Sequence, residues 1–166
     1  MTDRNLFEVG EWVVYPSHGV GQLTSIESVE VNGDKVEFYV ILFQKSKLLL
    51  KLPVKKAISA GLRNVLNQEE LEQIFLNLSQ KAKKKRMMWS KRAQEYEIKI
   101  NSGDPMALAE TLKELHKTGG TSMQSFSERQ IYQKALERLA TEISIAENAD
   151  IEEVSKRIET TLQEAA

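Results

Sequence analysis

The spacing of apolar residues changes once along this chain, near Gly61, from a period of about two to one near 3.6. Strands and helices with one wet face need these two different periods, so no single kind of layer accommodates the whole sequence. The expectation is an α+β chain, with a small β module over residues 1–65 and a compact all-helical module over residues 66–166.

The first half reads as short strands. Phe7 to Tyr15 is one strand region, punctuated by Pro16 and Gly19, and Gln22 to Val31 alternates roughly through Leu23, Ile26, Val29 and Val31. Asn32-Gly33-Asp34 supplies a hairpin turn, because Asn and Gly tolerate the positive φ angles that tight hairpins require. Lys35–Phe43 and Leu48–Leu52 follow as strands, the latter stopped by Pro53. Four or five strands in so short a stretch predict a strongly twisted sheet or barrel.

The second half carries helix punctuation. Asn67 with Glu70 forms a capping box ahead of Leu71, Ile74, Phe75 and Leu78. Met88–Ile100 is a second helix ending at Asn101-Ser102-Gly103, and Asp104 with Pro105 opens a third that holds Leu108, Leu112 and Leu115 and stops near Gly119-Gly120. Thr121–Phe126 reads as loop. Ser127 with Gln130 and Asp150 with Glu153 open two more helices, which carry Ile131, Leu139 and Ile143, and Val154, Ile158 and Leu162.

Little in the chain can do covalent chemistry. There is no cysteine, which removes disulfides, thiolate zinc sites and thiol nucleophiles. The two histidines, His18 and His116, lie one in each half, without metal-ligand spacing. Gly19-Val20-Gly21 lacks the third glycine and the βαβ setting of a dinucleotide loop and reads as a tight turn between strands. No Walker sequence or triad motif is present, so no enzyme, metal or cofactor is expected. No apolar run approaches the ~18 residues of a membrane helix, and Met1–Asn5 lacks a secretory signal, so a cytoplasmic protein is expected. No heptad seam calls for a dimer, and a monomer is expected.

Net charge is −1, yet its distribution is directional. From Gln73 to Gln94 no acid occurs, while Lys81, Lys83, Lys84, Lys85, Arg86, Lys91 and Arg92 cluster around Trp89. Phosphate binding needs such clustered cations, and an aromatic among them can stack on or wedge against a base. A solvated linker whose Trp plugs the helical core is the other reading of the same stretch. Met87 and Met88 read as packing residues. An anionic membrane is a poorer partner, since no large apolar face accompanies the bases.

Phe7-x-Val9-Gly10-x-x-Val13-Val14-Tyr15-Pro16-x-His18-Gly19-Val20-Gly21, Glu37-Phe38-Tyr39-Val40, Pro53-Val54 and Gly61-Leu62-Arg63 resemble the N-terminal module of CarD-type bacterial transcription regulators. That module is similar to the RNA-polymerase-interacting domain of the transcription-repair coupling factor, whose helicase motifs are absent here. Trp89-Ser90-Lys91-Arg92, the Ser102-Gly103-Asp104 turn and the segment from Ser127-x-Arg129 to Ala146-Glu147 resemble the helical DNA-binding domain of CarD. The resemblance implies a Tudor-like barrel that docks on the polymerase β subunit through a strand edge, with Lys51, Leu50 and Val29 as polymerase-facing residues. Some relatives carry an arginine where Val29 stands. It also implies a helical domain that stabilises the open promoter complex by contacting DNA, largely without sequence preference, at the upstream bubble edge. Trp89 matches the family's wedge, and Lys91 and Arg92 match the bases after it. Lys84, Lys85 and Arg86 extend that basic surface. A protein–protein adaptor that binds no DNA is the alternative, and association with the nucleoid and polymerase is the implied location.

Overall fold

The computed structural model describes residues 7–43, 45–82, 88–118 and 126–165. The chain divides into two compact units, Met1–Val65 and Leu66–Ala166. The first is an antiparallel sheet and the second a set of helices.

Five strands, β1 (Trp12–Tyr15), β2 (Gly19–Val31), β3 (Asp34–Phe43), β4 (Leu49–Pro53) and β5 (Arg63–Asn64), pair in the order β4-β3-β2-β1-β5. The β2–β3 hairpin turns through Asn32 (φ 53°) and Gly33 (φ 84°), as the Asn-Gly pair predicts. Two expectations are corrected. Phe7–Glu11 is not strand: the chain turns there, with Gly10 N–H donating to the Leu23 carbonyl at 2.7 Å, while Phe7 itself packs into the core. Gly19–Gly21 is not the turn between strands. The turn is Pro16–His18, and Gly21 lies within β2, where a Cβ would stand 2.7 Å from an Ile41 methyl and 2.8 Å from the Phe43 ring. The glycine answers a packing constraint.

β2 contains a bulge between Leu23 and Ser25. The extra residue, Thr24, donates its hydroxyl hydrogen to the Val40 carbonyl at 3.1 Å. A bulge shifts the alternation by one, so Leu23 and Ile26 both face the core, and Val29 and Val31, each 46% exposed, face outward. Phe7, Leu23, Tyr39, Ile41, Phe43 and Leu52 are the large members of the inner cluster, with Phe7 edge-on to Tyr39 at 5.6 Å.

The helices are α1 (Gln68–Leu78), α2 (Trp89–Ser102), α3 (Pro105–Thr118), α4 (Phe126–Glu147) and α5 (Ile151–Ala165). The Asn67–Glu70 capping box forms in both directions, at 2.8 and 3.0 Å. Asp104 Oδ1 accepts the Met106 N–H, with Pro105 as the first helical residue, and Gly103 (φ 71°) closes α2 in the left-handed region. Phe126 is already helical, so Ser127 sits in the first turn of α4 and not at its cap. The expected Gly119-Gly120 stop and the loop residues 121–125 lie outside the described residues.

One buried carboxylate was not legible in the sequence. Glu142 is 2% exposed, and its Oε2 accepts the Leu66 N–H at 2.9 Å. The first backbone group of the helical unit is thus satisfied by a side chain from α4. Removing an acceptor from a buried N–H costs about 1–3 kcal/mol. Glu142→Ala should therefore destabilise the helical unit by that amount in urea unfolding followed by far-ultraviolet circular dichroism.

Candidate functional site

Two surfaces carry the residues singled out by sequence, one in each unit. In the first, β4 terminates the sheet on one side. Its register sets Leu42 opposite Leu49, Ile41 opposite Leu50, Val40 opposite Lys51 and Tyr39 opposite Leu52. Phe43 N–H donates to the Leu48 carbonyl at 2.9 Å, which makes 43 and 48 a hydrogen-bonded pair. Antiparallel ladders alternate such pairs with non-bonded ones, so the N–H and C=O groups of Leu49 and Lys51 point to the outer edge. Pro53 ends the strand and offers no N–H.

The same alternation divides the three polymerase candidates. Lys51 lies on the outer face and pairs with Glu27 at 3.0 Å, a bridge that spans β3 from β4 to β2. Val29 lies on that face too, opposite Val36 on β3. Leu50 faces the other way and packs against the inner cluster. Its side chain is therefore core, and only its backbone lies along the strand that forms the edge. Phe38, Leu42 and Leu49 join Val29 and Val36 on the outer face, which is largely apolar around one ion pair.

In the helical unit Trp89 is the first residue of α2. It is partly buried against the helical core. The Arg92 guanidinium stands 5.5 Å from the Trp89 ring centre and 5.7 Å from that of Tyr96, at i, i+3 and i+7 on one helix face. Arg92 Nη2 also donates to the Tyr96 hydroxyl at 3.0 Å, and that hydroxyl donates to Glu114 Oε1 on α3 at 3.2 Å. Arg92 is engaged within the unit, as a clasp on Trp89. Lys91 is exposed and forms no ion pair among the described residues. Lys84, Lys85 and Arg86 lie outside the described residues, as does Met87. Met88 is 73% exposed, which corrects its reading as a packing residue.

Both histidines meet aromatic rings. His18 stacks on Tyr15 at 5.7 Å and meets Phe43 at 5.2 Å, and His116 lies 6.2 Å from the Tyr132 ring. No cluster of metal-ligating side chains occurs among the described residues. No helix among them is long and apolar enough to cross a membrane.

One unit thus ends in the β4 sheet edge, and the other places Trp89 beside Arg92 and exposed Lys91. Comparison with known proteins gives the family. Residues 7–66 match the CarD-like/TRCF RID domain, an RNA-polymerase-interacting domain, and residues 73–159 match the CarD C-terminal domain. The chain belongs to the CarD family, whose members are related to transcription regulation and are not in general enzymes. It is 28% identical over 141 residues to the putative transcription factor YdeB of Bacillus subtilis, covering 84% of this chain and 92% of that protein. Two solved structures from Myxococcus xanthus match the first unit. The 72-residue N-terminal domain of CarD is 28% identical over 38% of this chain and 84% of its own, with a TM-score of 0.31. The CdnL N-terminal domain is 32% identical over 41% and 96%, with a TM-score of 0.33.

Burial is the first cause that raises the pKa of Tyr96 above the ordinary tyrosine value, and burial likewise raises that of Tyr132. A pKa raised on folding means that the folded state binds more protons at alkaline pH. The stabilisation is whole below about pH 10, where the unfolded tyrosine titrates, and is lost as pH rises through the folded values. Urea unfolding from pH 8 to 11 should show stability falling above pH 10, with a shallower fall for Tyr96→Phe.

Proposed function

We propose that this protein binds the β subunit of RNA polymerase through residues 1–65 and stabilises the open promoter complex through residues 66–166. The free β4 edge supports docking by strand addition, in which the outward N–H and C=O groups of Leu49 and Lys51 carry affinity. Lys51 lies at that edge on the outer face, and Val29 lies on the same face two strands away. The placement of Trp89 at the head of α2, beside exposed Lys91 and after the Lys84-Lys85-Arg86 run, is the observation that carries the DNA reading.

The mechanism is a population shift. A protein without a chemical step favours the open complex only by binding it better than the closed one. A Trp at a partly unstacked step gains stacking only once the step has opened, and that contact is worth about 1–3 kcal/mol. The Arg92 clasp opposes it by about 0.5–2 kcal/mol. The two are of similar size, so the clasp holds Trp89 in place without locking it. Lys91 and the basic run contact phosphates and carry no sequence information.

The half-burial of Trp89 favours a second reading, in which it is a core plug and the protein is an adaptor that binds no DNA. The lifetime of open complexes of bacterial polymerase on a weak promoter separates the two. Wild type should lengthen it, and Trp89→Ala should lose most of the effect while retaining polymerase binding. Equal lifetimes with the two proteins would refute the wedge.

Lys51→Glu should abolish polymerase binding in a pull-down. Because that change also sets two carboxylates together, the swap Lys51→Glu/Glu27→Lys is the control. It restores the ion pair and should still not bind.

A further inference from the structure

The helical unit has electrically different ends. α1 and α3 run the same way: Glu69, Gln73 and Ile74 share one groove with Asp104 and Met106, while Leu78 and Lys81 share another recess with Lys113 and His116. α5 runs with them, since Arg157 covers the Phe75 ring at 4.4 Å and Leu162 reaches the recess of Leu78. α2 runs against α3, tied to it by Tyr96 and Glu114, so its first residue, Trp89, belongs to the end where α3 finishes. The groove at the far end is lined by the carboxylates of Glu69, Glu70, Glu72 and Asp104 and by no base.

The recess at the Trp89 end has a volume of about 150 Å³. Leu78 and Leu162, both buried, form its apolar part, and Lys81, Lys113 and His116 are its basic lining residues. Neither lysine forms an ion pair among the described residues. Three acids on the helices packed here are engaged elsewhere. Glu110 and Glu114 meet Lys99 of α2 at 3.7 Å, and Glu159 accepts the Tyr132 hydroxyl at 3.3 Å. Lys113 and His116 are three residues apart, on one face of α3. Two lysines without an ion pair, set with an imidazole around a partly apolar recess, suit a tetrahedral anion with several acceptor oxygens, and the low-dielectric floor strengthens the attraction.

We infer that this recess is a phosphate site, and that its ligand is a backbone phosphate of the nucleic acid that Trp89 meets. The inference rests on the DNA reading above and adds to it a second point of attachment, on α1 and α3. Two attachment points at one end, with acids at the other, fix the direction in which the unit meets an anionic polymer. Strand direction and register are then set by phosphate contacts, as expected of a reader with no base preference.

The test uses the full chain and a fluorescently labelled duplex of arbitrary sequence, titrated by anisotropy from 50 to 200 mM salt. If each lysine neutralises one phosphate, Lys81→Gln/Lys113→Gln should bind about tenfold more weakly at low salt. Its slope of log K against log salt should be shallower by about 1.8, at ~0.9 per phosphate. Trp89→Ala should keep the wild-type slope. An unchanged slope in the double variant overturns the site. So does a lower melting temperature with an unchanged slope, which would make the lysines partners of helix carbonyl ends. If the wild type binds no duplex, the DNA reading fails and inorganic pyrophosphate decides the recess. A saturable shift of the His116 ring signals that the double variant loses would keep a phosphate site with a free anion as its ligand. No shift would remove it.

Discussion

The bulge at Thr24 determines which side chains the first unit offers to a partner. Were Thr24 paired in a regular ladder instead of bulged, β2 would keep one alternation throughout, and Ile26 would share the outer face with Ser28 and Glu30. With the bulge, Leu23 and Ile26 both reach the core, while Glu27, Val29 and Val31 come to the outer face. Glu27 is thereby set across β3 from Lys51, and Val29 against Val36. The Thr24 hydroxyl bond to the Val40 carbonyl holds the irregularity in place. Deleting Thr24 would straighten the strand with these faces unchanged, whereas pairing Thr24 in the ladder would reverse the face of everything from Ile26 to the hairpin tip.

The helical unit depends on a comparable division of labour between neighbours. Along α2, Trp89, Arg92 and Tyr96 turn one face toward α3, and Glu114 closes the chain of contacts. Lys91, one position away, turns out to solvent. Adjacent basic residues thus have different surroundings: Arg92, planar and able to stack, lies against the aromatics, while Lys91 is an exposed point charge. Arg92 has two partners inside the protein that its shared charge with Lys91 does not suggest.

Much of the fold was legible because it rests on local rules. The Asn32-Gly33 hairpin, the Asn67–Glu70 box, Asp104 before Pro105 and Gly103 at a helix end each follow from backbone preferences that a few residues settle. Features set by contacts between distant residues were not. Gly21 reads as a turn residue until Ile41 and Phe43 stand against it. Glu142 reads as one more surface acid until the Leu66 N–H points at it. Leu50 and Lys51 read as equal edge residues until pairing with β3 assigns one to the core and one to the surface. The basic character around Trp89 was legible from composition. The gathering of Lys81 with Lys113 and His116 was not, because it depends on α1 and α3 running parallel.

The proposed reading also explains why the two surfaces are joined in one chain. With a net charge of −1, the protein as a whole adds no long-range attraction for DNA to that of its basic end. A basic end that neutralises about four phosphates would lose roughly a hundredfold in affinity between 50 and 200 mM salt, at ~0.9 per phosphate in the log–log slope. Such a contact, blind to sequence, cannot find a bubble edge unaided. A sheet edge fixed to the polymerase removes the search, since tethering turns a weak encounter into one at millimolar-scale effective concentration. Weakness then becomes useful. The DNA contact adds only a small free energy, applied where the helix is already opening, and it can be released when the polymerase moves on. Were the helical unit strongly basic throughout, it would be drawn to any duplex. The carboxylates of Glu69, Glu70, Glu72 and Asp104 at its far end confine the attraction to one end.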